Sequence, residues 1–250
     1  SAGSLNGAWL LCEGAERTMH AWWDPVIMRG TIEPWRALRR LPVVDTRYLV
    51  HTVYERIIPM GFPQILASPV EFHPMATDAA TGEAVDLRAL IHDQATLQAA
   101  LRASTALPLL AGRPVEIGGR AFVDAGVSES VPVRTALAQG ATHVIALRTR
   151  RADEAPAPPS RIERLVMSRW FARYAPGAQS PWLGRVGIRV EEERLLRGPS
   201  ILQIRPPLGS ADIGRAERRP DLLRQAVRAG RDAARQALAD AVDDAPATLS

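Results

Sequence analysis

Apolar residues recur every three or four positions from Ser4 to about Ala21, at Leu5, Ala8, Trp9 and Cys12. That spacing predicts a helix with one buried face, starting just behind the first residue. The stretch "VDTRYLVHTVYERIIP" carries a second helical stripe, Tyr48, Leu49, Thr52, Val53 and Ile57, closed by Pro59. The period then changes. Val70, Phe72 and Ala76 lie on a strand-like run, "DAATG" makes a turn, and "EAVDL" returns as a short strand, so a hairpin is predicted here. "DQATLQAALRAST" is helical again and stops before Pro108, and in "PVEIGGRAFVD" the pair Gly118-Gly119 joins two short strands. "PVRTALAQGA" reads as a helix with Pro132 in its first turn and Gly140 past its end, followed by "THVIAL", an apolar strand of the kind buried in a parallel sheet. Helices alternate with strands, which makes the class α/β.

Residues 149–160, "TRRADEAPAPPS", form a charged, proline-rich linker. Beyond it, "SRIERLVMSRWFARYAP" places Ile162, Leu165, Val166, Trp170 and Tyr174 on one face, with Arg161, Arg164 and Arg169 mostly off it: an amphipathic basic helix. "ILQIRPP" is one more strand. A last helix from about Asp221 to Val242 carries Leu222, Leu223, Ala226, Val227, Ala234 and Leu238 at helical spacing.

Composition refines this picture in three places. The chain has 250 residues, enough for one sizeable core, and no uncharged apolar run long enough to span a bilayer. All 31 of its Lys+Arg positions are arginine, which reads as the coding bias of a GC-rich bacterial genome, and the formal net charge is only +4. The arginines thicken between residues 148 and 173 without forming a nucleic-acid footprint, so no nucleic-acid partner is expected. Its single cysteine, Cys12, excludes an intrachain disulfide and a cysteine metal cluster.

The chain opens "SAGSLNGA", a serine followed by small residues at the head of a helix, which resembles the second half of a G-x-S-x-G nucleophile elbow. It is followed, in order, by "VEFHPMATDAATGEAVDL" and by "LRASTALPLLAGRPVEIGGRAFVDAGVSESVPVRTALAQGATHVIAL". Together these resemble the patatin-like phospholipase family, in which the elbow serine precedes an "ATD…TG" hairpin, an "AS…P" helix end and a "VDGG" or "VDGA" turn. The resemblance runs from Ser1 to about Leu147, and "ILQIRPP" with the last helix looks like the family's C-terminal end.

The resemblance implies a three-layer α/β/α fold with a mainly parallel central sheet. It makes residues 1–148 the catalytic core, 149–200 the linker with a helical insertion or cap, and 201–250 the final strand and helix of the same domain. It implies a serine lipid acyl hydrolase working through a dyad: Ser1 is the nucleophile, Asp124 its base, and the Ala2 backbone N–H part of the oxyanion site. Gly3, Ala125 and Gly126 are the small residues of the elbow and the aspartate turn. No metal or cofactor is implied, and the partner is a lipid ester, with 161–174 as a possible contact to a membrane surface. A cytoplasmic or peripheral-membrane location follows, and the oligomeric state stays open.

Two departures stand out. The turn reads "DAG", so Ala125 occupies a position where the family has glycine; if that position takes positive φ, Asp124 is misaimed at a cost of about 1 kcal/mol. The family's glycine-rich oxyanion loop and first strands lie upstream of the serine, where this chain begins. The expectation is therefore a piece of a longer gene product, lacking those strands and inactive by itself.

Three rival readings accompany this one. Ser1, Asp124 and His143 follow the chain order of an α/β-hydrolase triad. Ser1 could act as an N-terminal nucleophile with its own amine as base. The basic stretch 161–174, with Trp170, Phe171 and Trp182, could make a non-catalytic lipid-binding module. His20, His51, His73 and His92 lack metal-ligand spacing, and Asp78, Thr77, Glu83 and Asn6 read as structural, Asp78 by bonding turn amides.

Overall fold

Gly118 and Gly119 both take positive φ, 58° and 76°, and so make the two-residue turn that joins strands Val115–Ile117 and Arg120–Asp124. A second hairpin joins Met75–Asp78 to Ala84–Asp86. Numbered along the chain, these strands are β1 (Met75–Asp78), β2 (Ala84–Asp86), β3 (Val115–Ile117) and β4 (Arg120–Asp124), and they lie in the order β2-β1-β4-β3. The structure is a computed structural model and describes residues 2–154, 157–214 and 217–243. Its chain divides into two compact units, residues 1–130 with 157–189, and residues 131–156 with 190–250.

In the first unit every strand pairing is antiparallel. This corrects the expected mainly parallel central sheet among the described residues. Two of the three pairings are hairpins, and a tight turn can only return the chain antiparallel.

Successive residues of β4 point to opposite faces of the sheet. Phe122 packs with Ala100 and Ala103 of the Gln94–Ser104 helix, while Val123 packs with Met167, Trp170 and Phe171 of the Arg161–Tyr174 helix. The Gln94–Ser104 helix begins at a capping box on Asp93 and Thr96. It turns a second face, Leu97 and Leu101, into a helical cluster with Leu5, Trp9, Val50, Val53 and Tyr54. Trp9 meets Tyr54 edge-on at 5.2 Å.

Three helical stripes differ from expectation. The first helix spans Ala2–Leu11 and stops where Glu13 turns left-handed, φ 53°. In the second stripe Leu49–Ile57 is π-helical, so the buried residues are Leu49, Val50, Val53 and Tyr54, and Ile57 is exposed. A wider turn moves every later residue around the axis. In the Arg161–Tyr174 helix Met167, Trp170 and Phe171 are buried but Ile162, Leu165 and Val166 are exposed. At about 100° per residue, Leu165 lies opposite Met167 and Tyr174, not beside Trp170.

The second unit holds β5 (Val144–Leu147) parallel to β6 (Ile201–Ile204), with a small core of Val133, Ala146 and Leu196. The strand at "THVIAL" and its parallel pairing are as expected, but its burial is not: Ile145 is 58% and Leu147 71% exposed. Among the described residues this pair of strands is covered on one face, so alternate side chains face outward. Glu193 is bridged by Arg148 and Arg205. The last helix, Pro220–Asp243, has no buried residue. No helix among the described residues is long and apolar enough to cross a membrane.

Candidate active site

Asp124 is the last residue of β4, and its backbone is held on both sides. Its N–H donates to the Ala106 carbonyl at 3.0 Å, and its carbonyl accepts the Thr77 hydroxyl at 2.9 Å. Thr77 is buried in β1, next to Ala76, which pairs with Asp124 in the ladder. A threonine has one hydroxyl proton. With that proton on Asp124, the 2.8 Å contact between Thr77 Oγ1 and Ser128 Oγ has Ser128 donating.

After Asp124 the chain enters a 3-10 turn, Ala125–Val127, whose first free amide is capped by the aspartate: Oδ1 accepts from the Gly126 N–H at 2.8 Å. Ala125 is not among the residues with positive φ. The misaiming expected from alanine in place of glycine therefore does not arise, because a right-handed turn accommodates a Cβ at no strain. The position where a side chain would crowd the aspartate is the next one. A Cβ on Gly126 would lie 2.8 Å from Asp124 Oδ1, closer than side-chain carbons come to any heavy atom.

The other carboxylate oxygen, Asp124 Oδ2, is buried and has no hydrogen-bond partner among the described residues. Buried carboxylate oxygens are almost always satisfied, so an acceptor left open in this turn stands out among the described residues.

Ser1 lies outside the described residues. Behind it, Ala2 opens the first helix, whose leading amides have no partner within the helix and carry its positive end. A Cβ on Gly3 would meet no described atom within 4 Å, so close packing among these residues does not demand glycine there. In the helix's first turn Ser4 Oγ contacts Ser104 Oγ at 2.6 Å. Ser104 ends the helix that leads to Ala106, the residue whose carbonyl receives the Asp124 amide. The head of the first helix and the aspartate turn are thus anchored on one short segment.

Asp78 caps the β1–β2 turn through the Ala80 and Thr81 amides, at 2.8 and 3.0 Å on Oδ1, and receives Arg120 on Oδ2 at 2.7 and 3.0 Å. Burial pushes its carboxyl up, and the amides with Arg120 outweigh that, leaving it below the ordinary value. Its structural reading stands. His143 is exposed, beside the Thr142 hydroxyl. Trp170, Phe171 and Trp182 form part of the buried cluster against Val123 and Val127. The supporting role of Ser128 had no signal in its immediate sequence, since Thr77 and Ser128 stand 51 residues apart.

Residues 1–137 match the sequence profile of a family described as patatin-like phospholipase. The chain belongs to that family. The patatin-like match takes in Ser1, the "ATD…TG" hairpin and the Asp124 turn. It makes the chain a member of a family of lipid acyl hydrolases. No curated protein matches it.

Proposed function

We propose that this patatin-like protein is a serine hydrolase that cleaves acyl ester bonds of lipids, with Ser1 as nucleophile and Asp124 as its general base. The observation that carries the reading is Asp124 Oδ2, buried and without a partner among the described residues while Oδ1 is held by the Gly126 amide. A carboxylate fixed on one oxygen and open on the other accepts a proton from a hydroxyl directly, with no histidine between them.

In the first half-reaction the Ser1 hydroxyl attacks the ester carbonyl carbon and its proton passes to Asp124. The oxyanion that forms is met by the Ala2 amide at the positive end of the first helix. Collapse expels the alcohol, which takes the proton back from Asp124 and leaves an acyl-serine. Water, deprotonated by the same carboxylate, then attacks the acyl carbon and frees the acid and Ser1. The turn holds Asp124 in place throughout, so little reorganisation is needed.

The test is hydrolysis of a p-nitrophenyl ester and labelling by a fluorophosphonate, using protein expressed from its complete reading frame. Ser1→Ala and Asp124→Asn should each lower kcat by about 10³-fold or more, with an unchanged far-UV spectrum, and label should be found on Ser1 of the wild type. Full turnover in either variant discards the dyad.

A further inference from the structure

Residues 33–43 form a loop pinned at its base. Ile32 bridges Val44, the Glu33 N–H donates to the Val43 carbonyl at 2.9 Å, and Arg36 reaches Asp45 at 2.9 Å. Inside it a 3-10 helix, Pro34–Arg39, ends in a Schellman closure. The Leu41 amide bonds the Arg36 carbonyl at 3.1 Å, and Arg40 is left-handed at φ 57°, where glycine is usual. In a 3-10 helix residues three apart eclipse. Trp35 and Leu38 therefore share one face, and they are 73% and 77% exposed, with Leu41 just beyond at 52%. A braced loop thus holds three large apolar side chains in water, although loops ordinarily present polar residues there.

We propose that this loop is the protein's docking element for an anionic lipid surface, with Trp35, Leu38 and Leu41 entering the acyl boundary and Arg39 and Arg40 meeting headgroup phosphates. The proposal rests on the reading of the substrate as a lipid ester. Charge complementarity supports it: Arg39 and Arg40 have no carboxylate partner among the described residues, and a tryptophan beside arginines suits the polar–apolar boundary of a bilayer. Size argues against a second copy of the chain. Three side chains fall well short of the roughly 800 Å² per partner of a stable protein interface, and an isologous contact would set these arginines against themselves.

The base of the loop is tied to the segment that leads into the aspartate turn. The Val44 amide at its base donates to the Leu110 carbonyl at 2.9 Å. Leu110 belongs to the same short segment as Ala106, which holds the Asp124 amide.

Sedimentation with phosphatidylglycerol–phosphatidylcholine vesicles tests this, with Trp35→Ser/Leu38→Ser compared against Ile162→Ser/Leu165→Ser, which alters another exposed apolar stretch. Wild type should bind, the Trp35/Leu38 variant should bind about tenfold or more weakly, and the Ile162/Leu165 variant should bind as wild type. Brominated acyl chains should quench wild-type fluorescence, and Trp35→Phe should remove that quenching. Absent wild-type binding, unchanged binding of the Trp35/Leu38 variant, or loss only in the Ile162/Leu165 variant would overturn the proposal. So would wild-type self-association that the Trp35/Leu38 variant abolishes. A soluble short-chain ester reports on the Ser1–Asp124 reading separately, so either idea can fail without the other.

Discussion

The Thr77 hydroxyl donates to the backbone carbonyl of Asp124 at 2.9 Å, across the β1–β4 ladder. It holds the peptide from which the aspartate side chain departs, so Thr77 is a positioning residue for Asp124. Thr77→Val keeps the shape and removes the donor, leaving the Asp124 carbonyl and the Ser128 hydroxyl short of a partner. Urea unfolding should show a loss of about 1–3 kcal/mol. Ester kinetics should show kcat falling about tenfold with KM nearly constant, and Thr77→Ser should restore it. A purely structural threonine would lower stability without that kinetic split.

Gly126 is expected to be more sensitive in activity than in stability. Its added Cβ would press on Asp124 Oδ1 at 2.8 Å, and the carboxylate, being a side chain, can swing away. Gly126→Ala should therefore fold with a loss of about 1 kcal/mol while kcat drops by tenfold or more. Ala125→Gly, at a position that needs no positive φ, should leave kcat within about twofold of wild type, since only chain entropy changes.

Asp78 predicts an acid limb in the stability curve. Its folded carboxyl is held below the ordinary value, against the upward push of burial, by the Thr81 and Ala80 amides and Arg120. A depressed group contributes its stabilisation fully above its unfolded value near pH 3.9 and loses it as pH falls through the folded one. Asp78→Asn should cost about 1–2 kcal/mol at pH 7. The gap between variant and wild type should close below about pH 4 in denaturant titrations run across pH.

Gly177 should prove intolerant of any side chain. Its N–H donates to the Ala79 carbonyl at 3.0 Å, and a Cβ there would lie 2.1 Å from the Ala80 carbonyl oxygen, a backbone atom with little room to yield. Gly177→Ala should lower stability by about 1–3 kcal/mol, read as a shift in the thermal midpoint. Gly119→Ala, which meets no neighbour but sits at φ 76°, separates pure backbone strain from steric contact.

Much of the local structure was legible along the chain. The helix Gln94–Ser104, the Gly118-Gly119 turn, the β1–β2 hairpin and the strand at Val144–Leu147 all rest on signals a few residues long: a capping box, paired glycines, an Asx turn, a run of apolar residues. The family was legible as well, because ordered motifs from "SAG" to "DAG" need no three-dimensional contact to be recognised, and the profile match over 1–137 bears that out.

What escaped the linear reading depends on which distant residues meet. The pairing of β1 with β4 and the π-helical stretch after Tyr48 arise from packing that the local pattern does not carry. Ala125 needed φ, a property of the folded turn, before its effect on Asp124 could be judged. Residue types and short-range spacing carry propensity, capping and motif, all of which act over a turn or two. The grip of Thr77 on Asp124 arises when segments tens of residues apart are brought together, and there packing overrides local preference.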